Sequence, residues 1–180
     1  MKNVLIIDSG VTNHPIFEKA EIYTTGFRDQ KGLADVCDNV GHGTAIFSLV
    51  AKKLNIYVLK LFESFYECTV ENLIECLGYV VENNIYDVIN MSFGIVAVDD
   101  VHHIKKLKAL CDEIEKQGTI IVSAYDNDGA VSYPAFFKSV IGVDTSKKAN
   151  KRTEYEYVRN SCVNILGYGK SQKVAWSYPR

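Results

Sequence analysis

The chain has 180 residues, of which 47% are hydrophobic and 23% charged, with a formal net charge of −2. That length allows one domain with a sizeable core, so residues 1–180 are read as a single domain. The charge balance excludes a broad basic surface for nucleic acid, and the pairs Lys147-Lys148 and Lys151-Arg152 read as solvated loop. No apolar stretch is long enough for a membrane span, and Val4–Ile7 is too short for a signal-peptide core.

Asn3–Ile7 reads as a buried strand. A helix is expected from near Gly43 to Lys53, then a strand over Asn55–Phe62. In Thr69–Glu82 the apolar residues Val70, Leu73, Ile74, Leu77, Val80 and Val81 follow helical spacing, with Thr69 as N-cap. Asp87–Met91 reads as a strand. Val101–Gln117 carries a second apolar stripe, capped by Asp99 or Asp100 and ended by Gly118 in the left-handed region. Thr119–Ala124 and Val140–Val143 complete the strands. Continuous apolar strands alternating with helices predict an α/β fold, a mainly parallel doubly wound sheet with helices on both faces. Sites in such sheets collect at the carboxyl ends of strands.

Four candidates stand at such places. Asp8 ends the first strand in Asp8-Ser9-Gly10. His42 lies in Gly41-His42-Gly43-Thr44 at a predicted helix start. Ser92-Phe93-Gly94 follows Val88–Met91, and Asn127 opens Asn127-Asp128-Gly129 after the Thr119–Ala124 strand. Each alone reads as turn or cap chemistry; the ordered set does not.

In that order the residues resemble the subtilisin-like serine proteases, or subtilases. VLIIDSG, GHGT, INMSFG and NDG match the family's strand ends, helix start and oxyanion segment. Val11–Pro15, Ser132–Ala135 and Ser139–Val143 resemble further family stretches, so the likeness runs from Asn3 to about Gly169. The resemblance implies a subtilisin-like fold and an Asp-His-Ser triad. Asp8 would orient the imidazole, His42 would be the general base, and the Asn127 amide would stabilise the oxyanion. Ser92, Phe93 and Gly94 would pair with an extended peptide or protein substrate, with Phe93 at the family's variable position. No cofactor and no metal are implied.

Two departures stand out. Tyr125-Asp126 replaces the small Ala-Gly that usually precedes the oxyanion Asn. No serine after Val143 sits in the family's nucleophile motif. Ser171 has only a bare Gly-x-Ser form, in Gly169-Lys170-Ser171, and reads as a loop serine. By the resemblance the chain is C-terminally incomplete: the motif would lie roughly ten to twenty residues further on, judged by typical strand and loop lengths. The expected function is a serine endopeptidase whose serine lies beyond residue 180 or on a second chain, and the 180 residues alone are expected to be inactive. The alternative is a pseudoprotease acting as a peptide-binding or scaffold module. An unrelated doubly wound binding domain is a third reading, disfavoured for nucleotides by the lack of glycine-rich phosphate loops.

His102-His103 reads as exposed helix surface, His14 as a turn residue, and Asp35 and Asp38 as solvated loop carboxylates. Cys37, Cys68, Cys76, Cys111 and Cys162 show no CxxC spacing, which points to free thiols in a reducing compartment and hence a cytoplasmic location. Cys37 and Cys162 would be alternative nucleophiles only if placed beside His42. With a first strand starting at Asn3, no inhibitory pro-segment is expected, which suits a selective intracellular enzyme acting on a peptide precursor. Without the family's central helix one apolar sheet face would be uncovered, and because a monomer rarely exposes so large a patch, that face is expected to be covered by a partner or by a further part of the molecule.

Overall fold

The computed structural model describes residues 1–18, 20–50, 54–64, 68–96, 100–126, 130–159, 161, 163–170 and 174–175. Strand β1 (Asn3–Asp8) lies inside the sheet between β3 (Asn55–Lys60) and β4 (Val88–Met91), parallel to both. Its apolar run Val4–Ile7 is buried on both faces, which is why it reads as continuous rather than alternating. Beyond β4 come β5 (Ile120–Ala124) and β6 (Val140–Ser146), again parallel.

Two edge strands were not legible as such. Strand β2 (Glu21–Thr24) pairs with β3, and β7 (Tyr155–Tyr157) pairs antiparallel with β8 (Ile165–Tyr168). The eight strands run in the order β2-β3-β1-β4-β5-β6-β8-β7. Strand β8 lies parallel to β6.

Helices α2 (Val70–Glu82) and α3 (Val101–Lys116) cover one face of this sheet. Their stripes, including Leu73, Leu77, Leu107 and Ile114, form one core with Leu5, Ile7, Ile89 and Ile121. Thr69 caps α2 by accepting the Asn72 amide at 3.2 Å, and Asp100 caps α3 by accepting the His102 amide at 2.8 Å. Asp99, the other candidate cap, lies outside the described residues. Gly118 closes α3 with φ of 90°.

Helix α1 (His42–Val50) covers the opposite face, where Phe47 packs with Val4, Ile6, Ile56 and Val58. The last predicted residues of this helix, 51–53, fall outside the described set. That second face is unevenly sealed. Residues alternating with the first core on β5 and β6 (Val122, Ile141 and Val143) are only half-buried, and Ile120 is 50% exposed. No helix among the described residues is long and apolar enough to cross a membrane.

Leu77 is fully buried between α2 and the sheet. Leu77→Ala should cost about 2–5 kcal/mol, the usual range for a buried leucine. Urea or guanidinium unfolding would measure this, and a loss well below 2 kcal/mol would mean the α2 interface is not the close-packed core described.

Candidate active site

Strand β1 delivers Asp8 into the protein at 1% exposure, while the His42 side chain, at the start of α1, is 29% exposed. Their Oδ1 and Nδ1 atoms lie 2.8 Å apart. An ionised carboxylate can only accept, so Nδ1 carries the proton and Nε2 is the basic nitrogen of the ring. The hydrogen bond that His42 donates to Asp8 raises the His42 pKa. Burial acts against it, and the charges of Asp8 and Asp38 add to the rise.

Close approach explains the glycines of both motifs. Gly10 has φ of 110°, and a Cβ there would stand 2.2 Å from the Val36 carbonyl oxygen. A Cβ on Gly43 would stand 2.2 Å from the Gly10 oxygen and 3.2 Å from Asp8 Oδ1. A side chain at Gly43 would push α1 away from the end of β1, and one at Gly10 would displace the 36–38 loop that carries Asp38.

Asp38 corrects the sequence reading. It is 4% exposed, not solvated. Its Oδ1 accepts from Ser9 Oγ at 2.9 Å and from the amides of Val40 and Gly41 at 2.9 and 2.8 Å. Its Oδ2 accepts from the Thr44 amide at 2.8 Å and the Thr44 hydroxyl at 2.6 Å. Ser9 Oγ in turn accepts the Gly43 amide at 2.9 Å, and the Ser9 amide donates to Asp8 Oδ1 at 2.8 Å. Asp38 therefore ties the end of β1 to the first turn of α1. Burial works to raise its pKa, but the Thr44 hydroxyl and the Gly41, Thr44 and Val40 amides outweigh it and hold the carboxyl below its ordinary value.

Ser92, Phe93 and Gly94 follow β4 beside Asp8, since Ile7 and Met91 are in register. The Ser92 hydroxyl accepts from Asn90 Nδ2 at 2.9 Å, and Ser123 Oγ donates to the Phe93 carbonyl at 3.2 Å. The Phe93 ring packs inward, edge-on to Phe62 at 5.5 Å. Gly94 has no room for a side chain, because a Cβ would stand 2.8 Å from Ser132. Ile95 and Tyr133 exchange paired backbone hydrogen bonds of 2.9 Å, joining this segment to the 132–137 turn.

Asn127 and Ser171 lie outside the described residues, as does Cys162. Asp126, next to Asn127, donates its amide to Ser132 Oγ at 3.2 Å. His14 accepts the Ile16 amide, as a turn residue would. His103 pairs with Glu71 and His102 with Asp100. Among the described residues no three His, Cys, Asp or Glu side chains are grouped to hold a metal. Cys68 feels the charge of Asp8, but burial is the main force pushing its thiol up to about 12, so it does not compete as a thiolate.

The elevated His42 pKa couples protonation to stability. Its contribution is fully present below the ordinary imidazole value, about 6.5, and is lost as pH rises through the raised folded value. Asp8→Asn should lower the His42 midpoint in an NMR titration; an unchanged midpoint would show that the pair does not form. The Asp38 contribution runs oppositely, present above its ordinary value of about 3.9 and lost as pH falls through the lowered one. Asp38→Ala should destabilise the fold by about 2 kcal/mol or more, since several buried donors lose their acceptor. Denaturant unfolding at neutral pH measures this, and a loss under about 0.5 kcal/mol would remove Asp38 from the framework.

Comparison with known proteins bears on the family and the fold. The Subtilase family profile matches residues 3–178. The minor extracellular protease Epr of Bacillus subtilis (strain 168) is 26% identical over 172 residues, covering 84% of this chain and 24% of Epr. Subtilisin NAT of Bacillus subtilis subsp. natto is 24% identical, covering 93% of this chain and 46% of its own length. The chain thus spans less than half of either relative. Among solved structures, a lanthipeptide protease superposes with a TM-score of 0.65 at 19% identity, covering 83% of this chain and 50% of that one. The nisin leader peptidase NisP from Lactococcus lactis gives 0.61 at 19% identity, covering 81% and 56%. With a mostly parallel eight-stranded sheet, the DSG and GHGT elements meeting at its carboxyl end and a family match over almost its whole length, the chain belongs to the subtilase family.

Proposed function

We propose that this chain forms the Asp-His part of a serine endopeptidase whose nucleophilic serine comes from beyond residue 180 or from a second chain. The observation that carries this reading is the 2.8 Å contact between buried Asp8 and half-buried His42. A serine needs a base within hydrogen-bonding reach, and a tautomer with the proton on Nδ1 presents Nε2 as that base. Asp8 stabilises the imidazolium formed when the serine proton is taken. His42 then returns that proton to the leaving amine.

Asn127 would donate its side-chain amide to the tetrahedral oxyanion. Such a donor is worth roughly a hundred- to a thousand-fold in turnover, a figure measured on subtilisin itself. Ser92–Gly94 would align an extended peptide or protein segment by strand addition, leaving Phe93 to support the strand from the core side. The half-open sheet face on the α1 side is where the serine-bearing segment would pack. A cytoplasmic location belongs to the same proposal, supported by the buried free thiols of Cys76 and Cys111; the relative Epr is, by its name, extracellular.

Fluorophosphonate labelling of the full gene product, followed by peptide mapping, tests the proposal. One labelled serine outside residues 1–180 is expected, and residues 1–180 alone should neither label nor hydrolyse peptide. In the unlabelled full gene product, Asp8→Asn should lower kcat by about ten-thousand-fold, the effect of the wrong tautomer in a triad. If no serine labels while peptides still bind, the protein is a pseudoprotease that keeps the cleft as a binding module.

A further inference from the structure

The far edge of the sheet differs in charge and surface from the rest of the molecule. Residues 147–170 carry six bases and two acids, a local charge of +4 in a chain of net −2, which leaves the remainder at −6. All six bases, Lys147, Lys148, Lys151, Arg152, Arg159 and Lys170, are exposed. The two acids are already engaged. Glu156 holds Lys148 at 3.2 Å and accepts the Ser146 hydroxyl, and Glu154 accepts the amides of Asn150 and Lys151. Among the described residues Lys147, Lys151, Arg152 and Arg159 have no carboxylate partner.

Strand β7 sits among these bases as the outermost strand of the sheet. In an antiparallel pair, hydrogen-bonded and non-hydrogen-bonded positions alternate. The Val158 amide donates to the Asn164 carbonyl at 2.9 Å, and Glu156 pairs with Leu166 two positions on. Tyr155 and Tyr157 therefore occupy the alternate positions, with their amides and carbonyls turned outward to the open edge. Their side chains share one face and are 69% and 68% exposed. Open edges are usually blunted by charge, proline or covering elements, because they template pairing with another strand. Here the edge offers two outward backbone pairs, two exposed tyrosines and a surplus of positive charge together.

We infer that the β7 edge is a docking strand for an extended acidic peptide segment, which adds to the sheet alongside Tyr155–Tyr157 and sets its carboxylates against the surrounding lysines and arginines. Main-chain pairing supplies register and affinity, the tyrosines supply apolar contact, and charge supplies selection. A nucleic acid would satisfy the charge but not the outward amides and carbonyls, which is why a peptide is favoured. The inference concerns binding alone and does not depend on a nucleophilic serine.

The test uses the full-length protein and a fluorescein-labelled octapeptide of alternating valine and glutamate, read by fluorescence anisotropy at low ionic strength, where screening extends over ~30 Å. The acidic peptide should bind, and the valine–lysine counterpart should not. N-methylation of the alternate peptide amides that would face β7 should weaken binding about tenfold or more without altering the protein. The double change Lys151→Glu with Arg152→Glu, at exposed positions, should weaken it by a similar factor. Absence of binding, equal binding of the N-methylated peptide, no effect of the double change, or equal affinity for a single-stranded oligodeoxynucleotide of matching charge would each overturn the inference. Because the readout is binding and not turnover, these outcomes leave the protease reading untouched, and loss of fluorophosphonate labelling leaves this one untouched.

Discussion

Asp8 ends a strand that is buried on both faces, and a carboxylate in such a place has to be compensated or neutralised. The compensation is lopsided. Oδ1 takes the Ser9 amide, the Ser9 hydroxyl at 3.3 Å and His42 Nδ1, while Oδ2 has no hydrogen-bond partner among the described residues. Among the described residues the imidazole is thus the only titratable group hydrogen-bonded to this carboxylate. That asymmetry fixes the ring's tautomer and favours its protonated form. The geometry needed to hold a base and the electrostatics needed to stabilise its conjugate acid come from the same contact.

Such a contact persists only if β1 and α1 keep their spacing. Gly10 and Gly43 permit the close approach, and Asp38 enforces it by collecting donors from both sides. A second layer holds the surrounding loop. Lys60, at the end of β3, donates through its ammonium to the Cys37 carbonyl at 2.7 Å, and its own backbone is clasped by the Gln30 amide group. Buried polar networks stabilise when complete and destabilise when one member is lost. The Asp8–His42 pair therefore depends on residues beyond the pair itself.

Most of the sheet and helix order was legible because interior parallel strands must be apolar throughout and α2 and α3 bury regular stripes. The edge strands were not. Glu21-Ile22-Tyr23-Thr24 and Tyr155-Glu156-Tyr157 are short and only half covered, so their alternation is weak and their charges suggest loop. The Asp8 and His42 pairing was legible through motif order, not through local propensity. Asp38 was misread because its donors come from Ser9 as well as from Val40, Gly41 and Thr44, and a turn that gathers them has no simple spacing. For Phe93, only packing shows that its ring turns toward Phe62 and supports the segment from behind.

The two faces of the sheet give a physical reason to look for more structure around this chain. On the α2–α3 side, Ile89, Met91, Ile121 and Val140 are sealed. On the α1 side, their immediate neighbours Val122, Ile141 and Val143 remain half-buried, and α1 reaches chiefly the β1–β3 half. Burying apolar surface is worth about 25 cal/mol per Å², so covering those side chains with a helix would stabilise both partners. His42 opens α1, the helix on this same side of the sheet. An element that covers this face would stabilise the sheet. Under the endopeptidase proposal, the requirement for a closed core and the requirement for a nucleophile would then converge on one segment.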